Sequence, residues 1–159
     1  MSKTTPATLA LTKAGIVFAL ATYDYDPDVD RIGLAAAAAL GISPAIVFKS
    51  LMTEVDGKPV CVVLPSDREV SMKKLAATLG GKSAQMLKPE AAERLTGYKV
   101  GGISPFGQKR LVPTVLEATG LALPEIFLNG GQRGLQIRLD PADAVRALSA
   151  IAADVLAER

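Results

Sequence analysis

The chain contains no histidine. That excludes a Ser-His-Asp or Cys-His nucleophile system and any histidine metal ligand. It has a single cysteine, Cys61, so neither an internal disulfide nor a thiolate zinc site can form. Its place in the apolar run from Val60 to Leu64 predicts a buried strand position. No stretch approaches the roughly 20 apolar residues of a membrane span, and the N-terminus lacks the apolar core and cleavage site of a signal peptide. A cytoplasmic location and no contact with membrane are therefore expected. No metal and no cofactor is implied, and chemistry is left to lysine, carboxylates, hydroxyls, backbone dipoles or the substrate itself.

Charge of one sign is scarce over the whole chain, with a net value of +2, but it is unevenly placed. Between Arg68 and Arg110 lie nine Lys or Arg residues against three acids, Glu69, Glu90 and Glu93, while the segments before and after each carry a net −2. Such a block is either a solvated helical surface or a face that holds a polyanion. The 49% hydrophobic and 21% charged residues are those of a globular protein. At 159 residues the chain suits one domain spanning 1–159.

What the chain does have is glycine in two loops. Val100 to Gln108 holds Gly101, Gly102 and Gly107 around Ile103-Ser104-Pro105, a loop with few side chains that lets a ligand approach backbone N–H groups. Asn129-Gly130-Gly131-Gln132-Arg133-Gly134 has the same character and adds a guanidinium suited to phosphate or carboxylate. Lys49 falls mid-strand among Val47, Phe48 and Leu51. Such a lysine either reaches solvent along its stem or, facing inward, needs an anionic partner.

In chain order, Thr4 to Lys13 reads as a helix ended at Ala14-Gly15, and Ile16 to Thr22 as a strand running into the turn residues Tyr23 to Asp28. Asp30 is expected to cap a helix through Ala35 to Leu40, closed by Gly41. Ile46 to Met52 and Pro59 to Leu64 form a hairpin about Asp56-Gly57. A helix over Arg68 to Ala76, a short strand over Ala84 to Leu87 and a helix from Pro89 through Leu95 precede the first glycine loop. Strands follow over Leu111 to Leu116, Glu125 to Asn129 and Leu135 to Leu139. Asp140-Pro141 then opens an amphipathic helix carrying Val145, Leu148, Ile151, Ala152 and Val155 on one face. The expected fold is mixed α+β, with a curved, largely antiparallel, barrel-like sheet surrounded by helices.

Taken together, Val47-Phe48-Lys49-Ser50-Leu51, then Gly97-Tyr98-Lys99-Val100-Gly101-Gly102-Ile103-Ser104-Pro105, then Gly130-Gly131-Gln132-Arg133-Gly134-Leu135 resemble the YbaK/EbsC family of trans-editing aminoacyl-tRNA deacylases. The superfamily also includes the editing domain inserted in bacterial prolyl-tRNA synthetases. The continuation Phe106 to Leu111 with Pro113-Thr114 looks most like the Cys-tRNA(Pro) deacylase branch.

The resemblance implies hydrolysis of the ester that joins a mischarged amino acid to tRNA(Pro). It implies catalytic roles for Lys49 and for the amides of Gly101 and Gly102, and substrate contacts from Tyr23, Ile103, Ser104, Pro105, Gly130, Gly131, Arg133 and Gln136. It further implies the tRNA(Pro) acceptor end and prolyl-tRNA synthetase as partners, and a route in which the cysteinyl thiol of the substrate attacks its own carbonyl. Two other readings stand beside it. One is a deacylase that removes alanine or another small amino acid by a water route, and the other a non-catalytic module that binds the acceptor end. Gln136 stands where this branch commonly has aspartate, so a neutral amide replaces a charge that would hold an ammonium.

Overall fold

The computed structural model describes residues 4–29 and 31–159. Among the described residues five α-helices, α1 (Pro6–Lys13), α2 (Ile32–Leu40), α3 (Met72–Thr78), α4 (Pro89–Thr96) and α5 (Pro141–Leu148), accompany eight strands. The strands are β1 (Ala19–Thr22), β2 (Phe48–Val55), β3 (Lys58–Pro65), β4 (Ala84–Met86), β5 (Thr114–Glu117), β6 (Ile126–Asn129), β7 (Leu135–Leu139) and β8 (Ile151–Ala153).

The Asp56-Gly57 hairpin forms as its sequence predicts. β2 and β3 pair antiparallel from Val55↔Lys58 to Phe48↔Pro65, and both turn residues take positive φ, 50° at Asp56 and 83° at Gly57, which matches the right-handed twist of the flanking strands. The Asp56 carboxylate accepts from the Ser83 and Lys82 amides. These bonds, Ser83's first and then Lys82's, hold its pKa below the ordinary carboxylate value.

The expected barrel-like curvature is not found. The strands divide into two open sheets, a three-stranded one in the order β1-β7-β6 and a five-stranded one in the order β4-β2-β3-β5-β8. The small sheet is wholly antiparallel, while in the large one β5 runs parallel to both β3 and β8. Neither sheet closes, because the large one ends on the three-residue strands β4 and β8, whose exposed Met86 and Ile151 mark open edges. A single bridge, Val47↔Phe127, links the two.

The C-terminal helix is shorter than its apolar spacing suggests. It ends at Leu148, where Ser149 turns to φ 50°, and Ile151 to Ala153 leave as β8 beside β5. Val155 then buries fully, its amide donating to the buried Glu117 carboxylate at 3.0 Å. α3 likewise starts at Met72, capped by Ser71 Oγ accepting from the Lys74 amide, rather than at Arg68. The predicted cap for α2, Asp30, lies outside the described residues.

Alternation along β3 divides the core. Cys61 and Val63 face the small sheet, packing with Phe48, Met52, Ile126 and Ile137, while Val60, Val62 and Leu64 face α3 through Leu75 and Ala76. This is the period of two expected of a strand buried on both faces. On the outer edge of β2, β4 pairs only with Thr53 to Val55, so Lys49 to Leu51 have no paired strand on that side.

Candidate active site

A cavity of about 370 Å³ occupies that gap. The first turn of α2 (Arg31 to Leu34), β2 (Phe48 to Met52), the stretch from Met86 to Ala92, the loop residues Val100, Gly101 and Ile103, and Asn129 and Gln136 of the small sheet form its walls. Lys49 lines the cavity, its side chain 22% exposed, with Nζ 3.6 Å from the Glu69 carboxylate at the rim.

Two buried polar atoms of lining residues have no hydrogen-bond partner: Ser50 Oγ and Gln136 Oε1. Burying a polar atom without a partner costs free energy, so such atoms beside a cavity mark places where a ligand can complete the bonding. They stand on neighbouring walls with the Lys49 ammonium, in a cleft otherwise lined largely by apolar side chains.

The first glycine loop divides in two. Gly101 and Ile103 line the cavity; Gly101 has φ 94°, and its carbonyl accepts from Asn129 Nδ2 at 3.1 Å. Gly102 does not line it. Its amide donates to the Lys99 carbonyl at 2.8 Å, and a Cβ there would stand 3.0 Å from the Gln132 backbone. Ser104 and Pro105 are buried behind the wall; Ser104 Oγ accepts from the Phe106 amide at 3.2 Å and its carbonyl from Gln108 Nε2 at 3.1 Å.

The second loop supports the first. Asn129 Oδ1 accepts from the Gly131 amide at 2.7 Å, so one side chain fastens both loops. Gly130 donates to the Leu135 carbonyl at 2.8 Å, and its own carbonyl accepts from Thr5 Oγ1. Arg133 directs its fork away from the cavity, donating from Nη1 to the Pro27 carbonyl at 2.8 Å and from Nη2 to that of Val29 at 3.4 Å. Tyr23 lies with it beside a separate, much smaller recess. Of the residues singled out from the sequence, Lys49, Gly101, Ile103 and Gln136 meet in the cavity, and Tyr23, Gly102, Ser104, Pro105, Gly130, Gly131 and Arg133 do not line it.

Cys61 offers no nucleophile. It is fully buried outside the cavity lining, and burial pushes its thiol up to about 12 despite a weak contact from Gln108 Nε2. Among the described residues, no cluster of three or more His, Cys, Asp or Glu could hold a metal, and no helix is long and apolar enough to cross a membrane.

Residues 26–147 match the family model of the aminoacyl-tRNA editing domain. The chain belongs to that family. EbsC of Enterococcus faecalis, provisionally named a Cys-tRNA(Pro)/Cys-tRNA(Cys) deacylase, is 39% identical over 122 residues, 75% of this chain and 74% of EbsC, which makes this editing domain YbaK/EbsC-like. A proline-tRNA ligase of Nitratidesulfovibrio vulgaris strain DP4 is 38% identical over 71 residues, 45% of this chain but 12% of the ligase; the chain spans only a small part of that enzyme. The crystal structure of a protein described provisionally as a trans-editing enzyme for prolyl-tRNA synthetase shares the fold, with a TM-score of 0.82 at 23% identity over 96% of both chains.

Five polar or charged residues of the cavity lining are not marked out by the sequence: Arg31, Ser50, Ser66, Glu69 and Asn129. Ser50 adjoins Lys49 and Asn129 opens the second loop, so adjacency could have flagged both. Glu69 is brought to Lys49 by the chain between β3 and α3, and nothing local to it carries that signal.

Proposed function

We propose that this protein is a trans-editing hydrolase that deacylates mischarged Cys-tRNA(Pro), with the whole chain, 1–159, serving as one editing domain. The observation that carries the reading is a cleft offering an ammonium and unsatisfied polar atoms but no activated protein nucleophile, in a chain of the editing family. Ester cleavage needs a nucleophile, a stabilised oxyanion and a protonated leaving oxygen. With Cys61 buried elsewhere, the thiol of the cysteinyl group supplies the first. Its sulfur bonds to the carbonyl carbon, the bond from that carbon to the ribose oxygen breaks, and the ribose oxygen takes up the proton the thiol gives up. The product is free tRNA and a cyclic thioester that water then opens.

Lys49 stabilises the developing oxyanion or holds the terminal phosphate, and of the two glycine amides that of Gly101 is left as a backbone donor, because that of Gly102 already serves Lys99. Ile103 and the neighbouring apolar wall enclose the aminoacyl group. Ser50 and Gln136 complete their bonding on its polar atoms. The partners are the acceptor end of tRNA(Pro), met in part by the basic block from Arg68 to Arg110, and prolyl-tRNA synthetase; the setting is cytoplasmic.

Gln136 favours one second reading. A neutral amide at this buried position holds the α-ammonium by hydrogen bonding rather than by charge, which suits a deacylase for alanine or another small amino acid working through water. Deacylation of Cys-tRNA(Pro) beside Ala-tRNA(Pro), with wild type and a folded Lys49→Ala variant, separates the two. Loss of cysteine alone, abolished in the variant, supports thiol-assisted editing. Comparable loss of alanine supports the water route, and binding without turnover of either leaves an acceptor-end binding module.

A further inference from the structure

The guanidinium of Arg133 invites the role of a phosphate fork, yet both of its Nη atoms already donate to the protein, and its Nε is buried without a partner. Nη1 and Nη2 reach the carbonyls of Pro27 and Val29, in the segment that runs directly into Arg31 and the first turn of α2. That turn is one wall of the cavity. On its other side the same guanidinium lies against Gly101, where a Cβ would stand 2.5 Å from Nε and 3.1 Å from Cζ. Gly101 belongs to the opposite wall and is held there through Asn129.

We infer that Arg133 is a positioning residue, a brace that sets the α2 wall at a fixed distance from the Gly101 wall and so defines the width of the cleft. Two features of the contact suit a brace rather than a ligand site. Its acceptors are backbone carbonyls, which a planar fork with several donors can bridge at once and a lysine ammonium cannot hold in the same fixed geometry. Gly101 leaves no room between its backbone and the guanidinium, so a substrate phosphate cannot enter there without displacing the loop. Because the brace shapes the cleft whatever the cleft binds, it stands apart from the editing proposal.

Hydrogen exchange on the substrate-free protein tests it. In Arg133→Met, which keeps the stem and removes the donors, the amides of Val29 and Ala35, which donate to the Asp26 and Arg31 carbonyls, are expected to exchange about thirtyfold faster, the loss of two ordinary hydrogen bonds, with those of β7 unchanged. Arg133→Gln, which retains donors on a shorter arm, is expected to fall between. In the deacylation assay KM rises more than kcat falls. Unchanged exchange in both variants together with lost activity overturns the brace and returns Arg133 to direct substrate contact.

Should both variants unfold, the wild-type guanidinium signals in NMR decide. The brace requires slow rotation about the Nε–Cζ bond without ligand and no shift when a CCA trinucleotide is added. Free rotation without ligand, or a shift on addition, overturns it.

Discussion

Lys49 Nζ and Glu69 Oε1 lie 3.6 Å apart, the lysine side chain 22% exposed and the glutamate 74%. Pairs with so exposed a member are worth little, so an incoming phosphate can replace Glu69 at low cost. Glu69→Gln is expected to lower KM for the aminoacyl-tRNA by about fivefold or less at low ionic strength, the ceiling for an exposed pair, with the difference vanishing in high salt. Steady-state kinetics at two salt concentrations checks it, and a raised KM would instead make Glu69 a support for Lys49.

Lys49 itself is expected to be indispensable. Lys49→Met should reduce kcat/KM by about 100-fold or more, the loss typical of one oxyanion donor. Lys49→Arg should restore little, since a planar fork does not occupy the place of a compact ammonium. Circular dichroism of both variants establishes that the sheet is intact.

Ser50 Oγ is buried without a partner, so stability and binding should move in opposite directions. Ser50→Ala is expected to leave the melting temperature unchanged or raised, by up to about 1 kcal/mol of stability, while KM rises. A clear fall in melting temperature would mean that the hydroxyl is bonded within the protein.

Gly101→Ala should damage both fold and function. Its φ of 94° resists any side chain, costing about 1 kcal/mol or more, and the new methyl would meet Arg133 Nε at 2.5 Å. Reduced melting temperature and loss of deacylation are expected together; a fully active variant would remove Gly101 from the reaction.

Cys61→Ala should keep its activity, because the thiol lies outside the cleft and is pushed up to about 12 by burial. The sign of the accompanying pH effect follows from that shift. A thiol whose pKa is raised in the folded state adds stability fully present below its ordinary value of 9.0, and this is lost as pH climbs toward about 12. Burial raises the Tyr98 phenol in the same direction. Denaturant melts from pH 8 upward should therefore show falling stability, and a shallower fall in Cys61→Ala; an inactive but folded variant would overturn the substrate-thiol route.

Much of this was legible in the residues themselves. Asp56-Gly57 announces the β2–β3 hairpin because both positions must take positive φ. Pro6, Pro89 and Pro141 stand in the first turns of α1, α4 and α5, where a missing N–H does no harm. The spacing of Lys49, the Gly101 loop and the Arg133 loop carries the family resemblance, and the lack of histidine by itself removes the usual nucleophile systems. These are local or compositional properties, so the sequence alone determined them.

The tertiary structure decided what depends on distant partners. Parallel pairing of β5 with β3 and of Ile151 to Ala153 with β5 turned an expected barrel-like sheet into two open ones and cut short a helix whose apolar spacing continued. Whether Lys49 faced solvent or cleft rested on the first turn of α2, the Gly101 loop and the small sheet, which close around that side of β2. The guanidinium of Arg133 and the amide of Gly102 suit an anion in isolation, but both bond to carbonyls of the chain itself. A hydrogen-bonding group takes whichever partner folding brings within reach, and for a loop that partner comes from elsewhere in the chain.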